Sequence, residues 1–201
     1  MLNKRVFLVL MLFYAHVGAP DSLAEQSVAS KFLEAVLALE NPSILYDGGY
    51  QRIEYPLGDV PADRGVCTDV IIRAYRAIGI DLQKLVHEDM KQNFAAYPQL
   101  WGLTRPDSHI DHRRVPNLIV FFKRHGKTLA LSRDSDDYKA GNIVTWNLRN
   151  TGSLPHIGIV TDRRCESSQR PLIMHNIGGG QVLEDILFNY RITGHFRYGL
   201  D

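Results

Sequence analysis

The hydrophobic period of this 201-residue chain changes near residue 140, and this change limits the possible folds more than any other property. Before that point, apolar residues recur at helical spacing in four segments: 25–40, 66–79, 81–94 and 116–125. After it, four segments separated by Gly, Asn, Ser and Pro turns are predicted to be strands: 142–148, 156–162, 171–177 and 192–198. Helices followed by a strand meander are typical of an α+β domain, in which N-terminal helices pack on an antiparallel β-sheet.

The first residues have the three parts of a secretory signal peptide. Lys4 and Arg5 precede a short apolar run, and small residues lead up to Ala24. The apolar run is shorter than the ~20 residues that span a bilayer, although an uncleaved N-terminal anchor is the alternative. No cysteine lies near Ala24, so a lipid-modified N-terminus is not expected. A signal peptide over residues 1–24 predicts an exported, periplasmic protein whose residues 25–201 form a single domain.

The charge balance argues against two classes of partner. The formal net charge of the full sequence is +1, and it falls to zero without residues 1–24, which carry Lys4, Arg5 and Asp21. A neutral chain without a basic run is not expected to have nucleic acid as its main partner. No second apolar run is long enough to form a membrane helix. The sequence does not indicate an oligomeric state.

Cys67 is the first candidate for chemistry. It lies in the first turn of the helix predicted over residues 66–79. The free N–H groups and partial positive charge of a helix N-terminus favour the thiolate, which is the nucleophilic form of cysteine. The preceding Gly65 would let a substrate backbone approach closely. The competing interpretation is a disulfide with Cys165, because exported chains often pair their cysteines.

A nucleophilic cysteine needs a base and a group that orients the base. His156 is the best base, since it starts a predicted strand that can end against the helix carrying Cys67. The next strand offers His175 and Asn176 as the orienting group. Neighbouring side chains on a strand face opposite sides, so we expect only one of these two at the site. With His156 at the site, Cys165 would lie roughly 20 Å away along the strand, beyond the ~7 Å that a disulfide tolerates.

Four segments resemble, in order and spacing, the NlpC-type cysteine peptidases of the papain-like superfamily: "GVCTDVIIRAYR", "GNIVTW", "HIGIV" and "HN". The resemblance implies a papain-like (NlpC-type) fold with Cys67 as nucleophile, His156 as base and His175 as the orienting residue. A tyrosine about a dozen residues before the cysteine commonly lines the oxyanion site in that family, and Tyr55 stands there. More closely, "GDVPADRGVCTDVIIRAYRAIGIDLQKLVHEDM", "IDHRRVPNL" and "HNIGGG" resemble a bacterial family called domain of unknown function 1287. This second resemblance covers nearly the whole mature chain and indicates no substrate.

Several features depart from the NlpC-type pattern. Thr68 and Asp69 follow the cysteine where that family usually has Ser-Gly, and residues 80–138 form an extended insertion. The loop that follows the His156 strand is also long. These departures affect the expected substrate more than the chemistry. The candidate oxyanion or substrate-binding residues are Tyr55, Asp69, Arg113 and Asn176.

A second polar cluster lies within the insertion. His109, Asp111 and His112, with His87 upstream, could hold a metal, but their spacing matches no helix-based zinc signature. The preferred interpretation is that residues 111–114 pin the insertion or face a substrate carboxylate. Neither a metal nor a cofactor is expected.

The implied reaction is nucleophilic acyl transfer from an amide to the Cys67 thiol and then to water. For an exported bacterial enzyme, the resemblance implies an amide of a peptidoglycan stem peptide as substrate. One alternative is a catalytically silent module of the same fold that binds wall peptides or a protein partner. Another is transfer of the acyl group to an amine instead of water.

Overall fold

The computed structural model describes residues 26–200, so the predicted signal peptide lies outside the described residues. Four α-helices are present in this part of the chain: α1 Val28–Ala38, α2 Cys67–Ala77, α3 Leu82–Asn93 and α4 Val115–His125. The strands are β1 Leu45–Tyr46, β2 Arg64–Gly65, β3 Lys127–Thr128, β4 Ile143–Asn147, β5 Pro155–Arg164, β6 Pro171–His175, β7 Val182–Glu184 and β8 Arg191–Arg197. Short 3-10 turns occupy Phe94–Ala96, Asp111–Arg113 and Ser135–Asp137.

Six strands form one antiparallel sheet in the order β3-β8-β4-β5-β6-β7. The four predicted strands are its β4, β5, β6 and β8, and the predicted α+β class is confirmed. The two short edge strands β3 and β7 were not predicted. Outside this sheet, β1 and β2 form a small parallel ladder that places Tyr46 opposite Gly65, just before α2.

The sheet is covered on both faces. Ile143, Ile157 and Ile159 belong to the large core that the helices share with one face. Val144 and Trp146 point the other way and belong to a second apolar cluster. All five residues of β4 are buried as a result. The active-site candidates on β5 and β6 are therefore set in a well-packed, rigid part of the molecule.

The predicted insertion over residues 80–138 supplies two helices to the main core. Asp81 caps α3 as predicted, accepting a hydrogen bond from the Lys84 backbone N–H at 3.3 Å. Val86 of α3 and Leu118 of α4 are fully buried among core residues. This segment is thus built into the domain. Among residues 26–200, no helix combines the length and apolar character needed to cross a membrane.

Candidate active site

Cys67 is the first residue of α2 and is only 4% exposed. The backbone N–H groups near its sulfur, that of Ile157 on β5 first, act to lower the thiol pKa. Burial nevertheless raises the pKa of the Cys67 thiol to about 12. The expectation that the helix N-terminus would favour the thiolate is not met in the resting protein, because desolvation of the charged form outweighs the helix and the N–H donors.

His156 is the second residue of β5, directly before Ile157, whose N–H lies near the Cys67 sulfur. The Cys67 thiol therefore lies near the backbone of β5 beside His156. No hydrogen bond joins the thiol to the imidazole, because the His156 ring is on the Trp146 face of the sheet, whereas Cys67 belongs to the core on the helix face. His156 Nε2 lies 3.1 Å from Nδ1 of His175. Trp146 packs against the His156 ring, with ring centroids 5.8 Å apart. Burial, and then the nearby His175, lower the pKa of His156 to about 3.

His175 is the last residue of β6 and is completely buried. Its second ring nitrogen, Nε2, lies 3.0 Å from Oε2 of Glu184 on β7. Burial lowers the pKa of His175, while the Glu184 carboxylate acts in the opposite direction. Glu184 was missed by the sequence analysis, because β7 is a three-residue strand with no recognisable alternation. The result is a continuous chain of contacts from His156 through His175 to Glu184.

The Asn176 side chain also lies near Cys67, but its hydrogen bonds are to backbone groups and not to His156. Its side-chain amide donates to the Gly65 carbonyl at 3.3 Å and accepts from the Gly178 N–H at 3.0 Å. Because Asn176 lies just beyond the end of β6, strand alternation does not direct it away from the site. Of the two alternatives, His175 is the one that contacts His156. Asn176 instead fixes the segment that leads into Cys67.

Asp69 and Arg113 form a buried ion pair with side chains that are each 2% exposed. Arg113 donates to Oδ1 of Asp69 at 2.8 Å and to Oδ2 at 2.9 Å. It also donates to the Asp47 and Gly49 carbonyls. Asp69 accepts the Val66 N–H at 2.7 Å, which caps α2. Both groups are paired with one another and with the backbone, which gives them a structural role at the start of α2. Their predicted oxyanion or substrate-binding roles stay predictions.

Packing also explains why residue 65 is a glycine. A Cβ atom at this position would lie 3.2 Å from Oδ2 of Asp69. The missing side chain makes room for the Asp69 carboxylate at the helix start. The expectation that Gly65 admits a substrate backbone is replaced by this packing explanation.

Tyr46, opposite Gly65 in the β1–β2 ladder, is a tyrosine near Cys67. It is half-exposed, and partial burial, followed by the charges of Cys67 and Asp69, raises its pKa to about 12. Tyr55 packs against His87 instead, with ring centroids 5.1 Å apart. The structure does not bring Tyr55 to Cys67, which corrects the assignment made from its distance along the chain. Tyr46 was missed because its strand has only two residues and a long loop separates it from Cys67.

The polar cluster of the insertion does not converge on one point. His109 Nδ1 bonds to the Ile53 carbonyl at 2.9 Å. Asp111 accepts from the Asp107 N–H and from Arg114. His112 is buried, and its Nδ1 has no partner. Among residues 26–200, no three His, Cys, Asp or Glu side chains are placed to share a metal ion. Asp111 and Arg114 bond to each other and to neighbours within the insertion, so they fix its local conformation. The alternative role of facing a substrate carboxylate stays a prediction.

Both cysteines are free thiols, which excludes the disulfide. Cys165 follows the last residue of β5, whereas His156 is near its first residue. A ten-residue strand separates these positions by about 30 Å. The Ser167 hydroxyl, with further hydrogen bonds from Ser168, lowers the pKa of Cys165 to about 7. Cys165 is therefore a partly exposed thiol with a lowered pKa, away from His156.

Together these features define an α+β protein with a buried cysteine at a helix N-terminus, near the strand that carries one of a linked pair of histidines. The chain belongs to the family described as domain of unknown function (DUF1287), whose profile matches residues 34–198. It is 56% identical over 156 residues to the uncharacterized protein YijF of Escherichia coli (strain K12), a match that covers 78% of this chain and 75% of YijF. No solved structure gives a significant match.

Proposed function

We propose that this chain is an exported cysteine hydrolase of the papain-like, NlpC-type superfamily that cleaves an amide bond in peptidoglycan stem peptides. One observation carries the proposal. The Cys67 thiol at the start of α2 lies near the backbone N–H of Ile157, the residue after His156, and His156 is bonded to His175. A nucleophile, a base and an orienting group in this order are what acyl transfer requires. Export is supported by the pattern of residues 1–24.

The mechanism follows from these positions. His156 takes the thiol proton as Cys67 attacks the amide carbonyl carbon, and a tetrahedral oxyanion forms. The backbone N–H of Cys67 and the hydroxyl of Tyr46 are the candidate donors to that oxyanion, each typically worth ~3 kcal/mol in the transition state. Protonated His156 returns the proton to the leaving amine, and the amine departs. Water then hydrolyses the thioester, with His156 again acting as the base.

The shifted pKa values of Cys67 and His156 are compatible with this mechanism. Burial opposes a lone thiolate and a lone imidazolium, which is why the pKa of Cys67 is raised and that of His156 is lowered. Proton transfer between them creates both charges at once. Their mutual attraction offsets part of the desolvation cost. The resting pair is neutral, and the ion pair forms as the thiol reacts.

The first test is thiol labelling of the purified protein with iodoacetamide from about pH 4 to 9, read for each cysteine by mass spectrometry. We expect Cys67 to label at least about tenfold faster near pH 6 in the wild type than in His156→Ala, because neutral His156 removes the thiol proton as the sulfur attacks, and a general base typically contributes ~10²-fold or more. Cys165 is the internal reference, and its rate should be the same in both proteins. Labelling of Cys67 only above about pH 9 in both proteins would rule out the nucleophile.

The substrate is tested by digesting purified peptidoglycan and identifying new amine termini by mass spectrometry, with Cys67→Ala as the inactive control. His156→Ala should lower the cleavage rate by about 10²-fold or more, as expected for loss of a general base. Binding of wall peptide without cleavage would instead support the silent binding module. A product joined to an added amine would identify the acceptor as an amine rather than water.

A further inference from the structure

Glu184 lies on the same face of the sheet as the two histidines. In the β6–β7 ladder His175 is opposite Val182, and Ile173 is opposite Glu184, so Glu184 is diagonal to His175. Its Oε2 lies 3.0 Å from His175 Nε2. The Glu184 side chain is 48% exposed, whereas His175 is buried. One end of the histidine pair is thus tied to a carboxylate at the sheet edge.

This contact determines where the ring protons lie. An ionised carboxylate only accepts hydrogen bonds, so His175 Nε2 must carry a proton. A neutral imidazole has one ring proton, so His175 Nδ1 is an acceptor. The nitrogen 3.1 Å away, His156 Nε2, must then be the donor. The remaining nitrogen of His156, Nδ1, is therefore unprotonated and able to take a proton.

We propose that Glu184 is a positioning residue for the reaction at Cys67: through His175 it holds His156 in the tautomer whose Nδ1 is the base. This inference rests on the proposed hydrolase function. The reaction needs no proton transfer between His156 and His175 or between His175 and Glu184. The thiol proton moves to His156 Nδ1, His156 becomes doubly protonated, and the negative charge of Glu184 stabilises it through His175.

The proposal is tested with Glu184→Gln and Glu184→Leu in two measurements. In protein with ¹⁵N-labelled histidine, NMR should show Nε2–H tautomers for His156 and His175 in the wild type. Glu184→Gln should keep them, because the Gln side-chain oxygen still accepts, whereas Glu184→Leu should give mixed tautomers. Glu166→Gln, in the exposed loop after β5, is the matched control and should match the wild type.

The second measurement is the pH dependence of Cys67 labelling. Both Glu184 variants lose the stabilising charge, so their labelling curves should move to higher pH by about one unit, which is about tenfold in rate near pH 6. If Glu184→Leu shows the same histidine tautomers and the same Cys67 labelling curve as the wild type, Glu184 is not a positioning residue. If wild-type Cys67 labels no faster than Cys67 in His156→Ala, the hydrolase proposal itself fails. The NMR spectra still decide whether Glu184 sets the tautomers.

Discussion

Gly158 lacks a side chain because His175 and its neighbours already fill the space beside it. A Cβ atom at residue 158 would lie 2.6 Å from Cγ2 of Ile173 and 3.2 Å from Cβ of His175. Contacts this short force the neighbouring strand to move. The glycine two residues after His156 is therefore what allows β6 to place His175 against the His156 ring.

Gly158→Ala should lower the free energy of unfolding by about 1–3 kcal/mol, the usual cost of overpacking a filled core. It should also slow Cys67 labelling near pH 6, because His175 is pushed away from His156. Gly179→Ala is the control, since no atom lies within 4 Å of a Cβ there. Urea denaturation and the labelling assay measure the two effects. Equal stability of the two variants would contradict the packing argument.

At this scale the sequence identified the residues of the site better than it identified their partners. Cys67, His156 and His175 were predicted from helix and strand positions; the structure pairs the two histidines and places the Cys67 thiol near the backbone beside His156. Their catalytic roles stay predictions. Tyr46 and Glu184 were not predicted, because they depend on how short strands align across long loops. Local patterns report which face a residue occupies, but not which distant segment lies against it.

At the scale of elements, Arg113 fastens the 3-10 turn Asp111–Arg113 to the first turn of α2. Its guanidinium pairs with Asp69, and its own carbonyl accepts from the Thr68 hydroxyl at 3.0 Å. The same side chain holds the carbonyls of Asp47 and Gly49 in the segment after β1. Three elements that surround Cys67 are thus joined by one side chain.

Arg113→Met should destabilise the fold by about 3–5 kcal/mol, because it leaves the buried Asp69 charge without its partner. Arg64→Met is the matched control. Arg64 pairs with Asp47 in a partly exposed site, and its loss should cost at most about 1 kcal/mol. Urea denaturation gives both free energies of unfolding. Similar losses in the two variants would show that the Arg113 pair is no more than a surface contact.

The elements found from sequence were those with enough residues to show a period. Helix α1 was predicted over 25–40 and spans Val28–Ala38, and β5 was predicted over 156–162 and spans Pro155–Arg164. The strands β3 and β7 have two and three residues, too few for alternation to be recognised. Their pairing is dictated by the neighbouring strand and not by their own sequence.

At the scale of the whole molecule, buried histidines make stability depend on pH. Burial, and then the charge of Arg113, lower the pKa of His112 to about 3, and the pKa of His156 is lowered similarly. Below the ordinary histidine pKa of 6.5, these two histidines bind protons in the unfolded chain but stay neutral in the folded chain. The free energy of unfolding therefore falls as the pH drops from 6.5 toward 3. Asp111 acts in the opposite direction, because burial raises its pKa to about 6.

His112→Phe should therefore keep more stability in acid than the wild type. Relative to the wild type, it should gain about 2–3 kcal/mol in the free energy of unfolding between about pH 6.5 and 4.5, at about 1.4 kcal/mol per pH unit. The comparison uses urea denaturation at several pH values, so a constant cost of the substitution does not affect it. Parallel stability curves would show that His112 does not remain neutral when folded.

The contacts around Cys67 join segments that are far apart in the chain. Asn176 and Gly65 are separated by 111 residues, and Arg113 and Asp69 by 44. Contacts of such long range form late in folding, because the intervening chain must first lose its freedom. A partly synthesised or partly folded chain therefore has the cysteine without its neighbours. Completion of the fold is the event that gives Cys67 its chemical surroundings, and until then its thiol behaves like any other.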